Sequence, residues 1–326
     1  MTKGVSSPME MLRLNQLSVG YPNHPLFDNL NLSLHSGQLV CFMGPNGAGK
    51  STLIRTIGGL QQPRAGSVLI QGSDTSSSKP EKVALVLTDP VRDINVTVEE
   101  MVSFGRYPFL NWTVTLAKHD EEIIGFAIDR VNIGHLKKKR LYQLSDGQIQ
   151  MTMIARALAQ DTPLIILDEP TAHLDLNNRV EIMKLLEGLA HREGKCILMA
   201  THELDLALQT SDLIWLTGNN KNIVTGIPED LVLAGDFDET FRFKGFDLKT
   251  GKVQHRPFRG RCIRLSGEGY AYLWTRNALE RNGFEVSDDT GDTHVVITRP
   301  DERFLWQIEG GKTFYSPGSL LDELLT

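Results

Sequence analysis

A chain of 326 residues with 40% apolar content has enough hydrophobic material for about two domains of ordinary size. Its 34 basic and 40 acidic residues leave a net charge of −6, which excludes a chain built mainly to coat nucleic acid or an anionic membrane. The charge is uneven: residues 241–326 hold 12 of the 23 aromatic residues at a net charge of +1, and residues 1–240 carry −7. A large acidic domain over 1–240 followed by a small aromatic-rich one over 241–326 is expected. Cys41, Cys196 and Cys262 are far apart and form no CxxC pair, so neither a disulfide framework nor a zinc site is indicated, and a reducing compartment fits. The opening MTKGVSSPME lacks the apolar core of a signal peptide. No run approaches the ~18 apolar residues that span a bilayer, so a soluble protein is expected, unless another chain holds it at a membrane.

In chain order, segment 12–33 alternates polar and apolar residues and reads as antiparallel strands flanking a core. Residues 39–43, 83–87, 164–167 and 196–200 are short, nearly unbroken apolar runs, the pattern of strands buried on both faces of a largely parallel sheet. A serine-rich loop is expected over 73–78. Val98, Met101 and Val102 suggest a short helix that Gly105-Arg106-Tyr107-Pro108 should close. Ile149, Met153 and Ala157 mark a helix over 146–159, and Val180, Met183, Leu186 and Leu189 another over 177–190. Alternating strands and helices imply an α/β core, and no motif recurs at a fixed period. Segment 242–264 holds eight basic residues against Asp247 alone. It reads either as a solvated connector or strand face, or as a contact for lipid head groups or an acidic partner. Beyond it a helix is expected over 270–281. Tyr270, Tyr272, Leu279, Phe284, Val295, Val296, Phe304, Leu305 and Trp306 are candidates for a small α+β core.

The chemistry concentrates in a few motifs. Gly44-Pro45-Asn46-Gly47-Ala48-Gly49-Lys50-Ser51, followed by Thr52, matches G-x-x-x-x-G-K-[ST] between the strand ending at Met43 and a helix with Leu53, Ile54 and Ile57. Such glycines let backbone N–H groups converge on phosphate oxygens at a helix N-terminus. Lys50 should reach the β- and γ-phosphates and Ser51 a Mg²⁺ ion. The strand 164–167 ends in Asp168-Glu169, placing Asp168 to hold Mg²⁺ and Glu169 to polarise an attacking water as general base. His202 follows the strand 196–200 and could reach the γ-phosphate from the other side; a lone strand-end histidine is more often structural, and its role rests on its neighbours.

Leu144-Ser145-Asp146-Gly147-Gln148 opens a helix 23 residues before Asp168. The order P-loop, signature, acidic strand and histidine resembles the ABC ATPase family over roughly residues 10–235. The resemblance implies a P-loop NTPase of ABC type with an antiparallel β-subdomain and a helical subdomain, ATP and Mg²⁺ as cofactors, and a homodimer. In that dimer each ATP lies between one P-loop and the other chain's signature (Ser145, Asp146, Gly147, Gln148). It also implies that Tyr21 stacks on adenine and that Asp175 lies in the loop along the dimer interface. Two departures stand out. Thr88 occupies the usual glutamine position, followed by Asp89, so a water-mediated contact with the metal is expected there. Asp146 replaces a glycine, favouring the helix but opposing an anionic phosphate, and slow or tightly coupled turnover is expected.

The gap from Lys50 to Ser145 is 95 residues and holds neither sustained heptads nor cysteine pairs, unlike the DNA-repair relatives. Residues 97–108 look like a stretch of the ATPases that serve ferric-siderophore, haem and cobalamin importers, in the region that receives the permease. The resemblance therefore implies an ATP-hydrolysing subunit of an iron-siderophore importer, with cobalamin or haem next. Its partners would be a polytopic membrane permease and a substrate-binding protein, at the cytoplasmic face of the membrane. A reading from another class is a soluble ABC ATPase acting on nucleic acid or a regulator; the near-balanced charge of 241–326 argues against nucleic acid.

Overall fold

The computed structural model describes residues 9–74, 80–88, 94–110, 115–218, 221–300 and 303–326, so residues 75–78 of the expected serine loop, and Asp89, lie outside the described residues. Period-two alternation builds a long hairpin from β1 (Glu10–Tyr21) and β2 (His24–His35). Next come β3 (Leu39–Met43), α1 (Lys50–Ile57), β4 (Ala65–Ile70), β5 (Ser73–Asp74) and β6 (Val83–Val86). The helical part holds α2 (Val98–Ser103), a 3-10 turn at Phe104–Phe109, α3 (Lys118–Arg130) and α4 (Asp146–Ala159). Then follow β7 (Leu164–Asp168), α5 (Leu176–Glu193), β8 (Cys196–Ala200), α6 (Leu204–Thr210), β9 (Leu213–Thr217), β10 (Ile223–Gly226), α7 (Pro228–Ala234) and α8 (Asp236–Phe241).

Two sheets result. The antiparallel sheet runs β2-β1-β4-β5; the second runs β10-β9-β3-β8-β7-β6 and is parallel except for β10. Every residue of β3, β7 and β8 is buried, as their unbroken apolar runs require. Leu12, Leu14, Leu17 and Val19 of β1 share one core with Leu53, Ile54 and Ile57 of α1 and Phe42 and Trp215 of the parallel sheet. Trp215 meets Phe42 edge-on at 6.2 Å. Burial pushes the thiols of Cys41 and Cys196 up to about 12, so both are packing groups rather than nucleophiles.

The stretch Gly105–Pro108 does more than stop a helix. It lies in the 3-10 turn that continues from α2, pressed so closely on α4 that a Cβ at Gly105 would sit 2.3 Å from the Arg156 carbonyl oxygen. Arg106 is turned inward: Nε meets Asp120 at 2.8 Å, one Nη donates to the Ala159 carbonyl, and the guanidinium lies over the Phe109 ring. One buried arginine thus fastens the turn to α3 and α4.

The chain forms two compact units, Met1–Arg242 and Phe243–Thr326. The second unit begins with a small hairpin, β11 (Phe246–Asp247) and β12 (Lys252–Val253). It continues through β13 (Cys262–Ser266), α9 (Gly269–Arg281), β14 (Glu285–Ser287), β15 (Thr293–Thr298), β16 (Leu305–Ile308), β17 (Thr313–Phe314) and α10 (Pro317–Leu325). Its mixed sheet has the order β14-β13-β15-β16-β17. Leu279, Phe284, Val295 and Trp306 are in its core as expected, but Tyr270, at the start of α9, is 82% exposed and Phe304, just before β16, is 37% exposed. Element ends leave a ring in water where mid-element positions bury it. The basic run 242–264 is not a plain connector: it holds β11, β12 and the start of β13. Arg259 and Arg261 lie against the Phe284 ring and donate to the carbonyls of Asn282 and Leu324. Among the described residues no helix is long and apolar enough to cross a membrane.

Breaking the buried Arg106–Asp120 pair with Arg106→Met should cost about 3 kcal/mol in urea unfolding, because it removes the charged partner of a little-exposed carboxylate and leaves it the Ala117 N–H. The Ala117 N–H, and then Arg106, hold the Asp120 carboxyl below its ordinary value. This contribution is therefore present at neutral pH and lost as pH falls below about 4, so the wild-type advantage over Arg106→Met should shrink in acid.

Candidate functional site

Three parallel strands deliver the reactive groups at their carboxyl ends, where open α/β sheets bind ligands. After β3 the chain turns at Gly44 (φ +156°), whose Cβ, if present, would lie 2.4 Å from the Thr217 carbonyl oxygen. Gly47 (φ +80°) and Gly49 (φ +98°) hold the left-handed turns that lead into α1. Pro45 and Ala48 are half-buried and Asn46 is exposed, with the Ala48 N–H donating to the Pro45 carbonyl. Gly49 caps α1 with no side chain, leaving the first-turn amides of Lys50, Ser51 and Thr52 for a ligand. Lys50 is 6% exposed, and its Nζ donates to the carbonyls of Gly44 (2.8 Å) and Pro45 (3.1 Å). Burial lowers its pKa, opposed by the negative charges of Glu169 and Asp168.

Asp168, the last residue of β7, is 4% exposed, and its Oδ1 has no hydrogen-bond partner. Burial raises its pKa most; a hydrogen bond from Ser51 opposes this and the neighbouring Glu169 adds to it. A buried carboxylate with a spare oxygen beside a serine hydroxyl is a donor set suited to a hard divalent cation. Glu169 itself sits at φ +51°, and its N–H donates to the Ala200 carbonyl across the sheet. Left-handed backbone in a non-glycine residue costs about 1–2 kcal/mol, a strain retained here to aim the side chain off the strand end. His202 follows β8, and its Nδ1 lies 3.4 Å from Glu169 Oε1. Thr88, two residues past β6, donates its hydroxyl to the Asp168 carbonyl at 3.0 Å. The hydroxyl thus holds the backbone of Asp168, the residue expected to bind the metal. Tyr21 ends β1 with its side chain 53% exposed.

The signature residues gather elsewhere. Ser145 caps α4 by accepting from the Gln148 N–H, while the Gln148 side chain accepts from the Ser145 N–H. Asp146 stands in the first turn of that helix. A Cβ at Gly147 would lie 2.9 Å from the Asn178 side chain, and Asn178 in turn donates twice to Asp175, the cap of α5. The signature turn and Asp175 are thus joined through Asn178. Arg179 and Glu203 are among the further polar residues that line the same ≈ 770 Å³ cleft as Glu169 and His202. Sequence reasoning passed over both, although one lies four residues after Asp175 and the other next to His202.

Residues 27–172 match the model of the ABC transporter family, and residues 259–325 match the Iron ABC transporter C-terminal domain. An uncharacterized ABC transporter ATP-binding protein of Methanocaldococcus jannaschii is 36% identical over 76% of this chain and 89% of its own length. The Iron(3+)-hydroxamate import ATP-binding protein of Bacillus subtilis is 35% identical over 62% of this chain and 77% of its own. Among solved structures, a metal-chelate type ABC transporter in an inward-facing conformation superposes with a TM-score of 0.64 at 27% identity, covering 72% of this chain and 89% of that one.

Replacing Lys50 by Met removes charge-assisted bonds worth about 1.5–3 kcal/mol to a triphosphate, so binding of a fluorescent nucleoside triphosphate should weaken roughly 10- to 100-fold in an anisotropy titration.

Proposed function

The chain belongs to the family of ABC transporter ATP-binding proteins, and from that premise we propose that this ATPase powers the uptake of an iron chelate of the siderophore class through a separate membrane permease. The observation that carries the cargo class is the match of residues 259–325 to a domain described for iron ABC transporters. The B. subtilis relative, named for iron(3+)-hydroxamate import, supports it. Two copies of the chain would pair head to tail, each ATP lying between the cradle of one and Ser145–Gln148 of the other. A substrate-binding protein would deliver the chelate, and the ATPase would sit at the cytoplasmic face, held by the permease.

At the cradle, Lys50 exchanges the Gly44 and Pro45 carbonyls for phosphate oxygens, and the first-turn amides of α1 orient the phosphate chain. Ser51 and Asp168 would hold Mg²⁺, which neutralises charge on the β- and γ-phosphates. Glu169 polarises the water that attacks the γ-phosphorus as the bond to the β-phosphate oxygen breaks, giving ADP and phosphate. His202, beside Glu169, adds a polar contact for the γ-phosphate. Tyr21 offers an exposed ring for the adenine. A groove of ≈ 280 Å³ supports permease docking: Leu60, Leu85, Phe104 and Pro108 line it, with Arg156 and Gln160. Arg156 donates to the Leu85 carbonyl and Gln160 to that of Val83. A permease segment filling this groove bears on β6, and through β6 on Thr88 and the Asp168 backbone.

Glu169→Gln should lower ATP hydrolysis at least about 100-fold while preserving binding. Purified with ATP from membranes, it should retain a polytopic permease; ribosomes or nucleic acid in its place would defeat the transport reading. Radiolabelled ferric hydroxamate uptake, lost on deleting the gene and restored by the wild-type chain alone, tests the cargo. Thr88→Gln and Asp146→Gly should each raise the turnover rate, since one restores reach and the other removes a carboxylate facing an anionic phosphate; unchanged rates would remove that account.

A further inference from the structure

The cleft beside the catalytic carboxylate contains an ion pair that the reaction as described does not use. Arg179, in the first turn of α5, donates from Nε to the Leu174 carbonyl at 2.7 Å, and the same nitrogen lies 3.3 Å from Glu203 Oε1. Glu203 caps α6 by position, yet its carboxylate makes no capping hydrogen bond there and is turned towards Arg179. The other oxygen, Oε2, is buried without a hydrogen-bond partner. A carboxylate in that setting keeps its place only while a cation compensates it. Glu203 is also the residue after His202, and its N–H donates to the hydroxyl of the buried Thr201. The backbone that carries the Glu203 carboxylate is thus continuous with that of His202, whose ring lies 3.4 Å from Glu169.

The first turn of α5 makes a second contact. Asn178, next to Arg179, is held by Asp175 and blocks the space beside Gly147 of the signature turn. Between Leu174 and Glu169 the chain is tightly turned: the Ala172 N–H donates to the Glu169 carbonyl, and His173 has φ +63°. Gly147, Asn178, Arg179, Glu203 and His202 thus form a continuous path of contacts through the start of α5.

We infer that Arg179 is a positioning residue that ties the signature turn, through the start of α5 and Glu203, to the setting of His202 beside Glu169. This rests on the ATPase reading above. In a head-to-tail pair the signature serves one nucleotide and Glu169 the other, so the path links the two sites within one chain. Arg179 touches no phosphate in this role and acts through Glu203.

The test is steady-state ATP hydrolysis by the full chain, with its permease where this is required for activity, alongside direct ATP binding. Arg179→Ala should lower kcat about 10-fold or more, the effect of a catalytic group displaced by a fraction of an ångström to an ångström. The Kd for ATP should stay within about twofold of wild type, because the cradle is untouched. Cooperativity in ATP, with a Hill coefficient bounded by about 2 for two sites, should fall towards about 1. Arg179→Lys, which keeps the charge, should restore part of kcat. Glu203→Gln keeps the side-chain volume and carries the test if Arg179→Ala does not fold; its effect and that of Arg179→Ala should be non-additive in the double variant. Unchanged kcat and cooperativity in both single variants, or additive losses, overturn the inference. So does a parallel fall in kcat and ATP affinity with a lowered unfolding midpoint, which marks a merely structural role. A wild-type chain that binds but never hydrolyses ATP overturns the ATPase reading itself.

Discussion

The interaction on which the first unit depends is the burial of Lys50 close to the carboxylate of Asp168. Lys50 is held at the bottom of a glycine turn by two backbone carbonyls. Asp168 sits at the end of a fully buried strand with one oxygen unpartnered. Their pKa shifts, down for the lysine and up for the acid, have the same first cause, loss of water. Such a pair is unfavourable to bury without further charges, and the proposed phosphates and hard cation would supply both signs. The unbroken apolar runs of β3, β7 and β8 fit this need: strands buried on both faces bring these groups to one end of a sheet and exclude water behind them.

The helical part is attached by polar side chains as well as by packing. Arg156 of α4 and Gln160, which follows it, donate to the carbonyls of the β6 edge strand, and Arg106 joins the 3-10 turn to α3 and α4. Hydrogen-bonded joints of this kind have defined geometry, so under the proposed docking a displacement at the groove would reach β6 as a movement. Thr88 sits where that strand meets the backbone of Asp168.

The second unit follows a different logic. Its sheet packs one face on α9 and α10, with Ile263, Leu265, Val295 and Trp306 pointing into the shared core. Trp306 satisfies its buried N–H by donating to the Thr275 hydroxyl. Two of the eight basic residues of the run, Arg259 and Arg261, lie on the Phe284 ring and bind carbonyls, so that part of the local charge excess is structural.

The sequence by itself determined the α/β class, the buried strands, the helix over 146–159 and the positions of Lys50, Asp168, Glu169 and His202. These features are legible because backbone periodicity and short phosphate motifs are local in the chain. It also showed the change at about residue 240, because composition changes there. It did not show that Gly105-Arg106-Tyr107-Pro108 forms a 3-10 turn with its arginine buried, since Asp120 and Ala159 are brought to it only by the packing of α3 and α4. Nor did it show that the Thr88 hydroxyl belongs to the Asp168 carbonyl, or that Tyr270 stays in water. The pairing of Arg179 with Glu203 was equally hidden. Those two charges are separated by the rest of α5 and all of β8, and only the closing of the parallel sheet brings the start of α5 against the loop that carries His202.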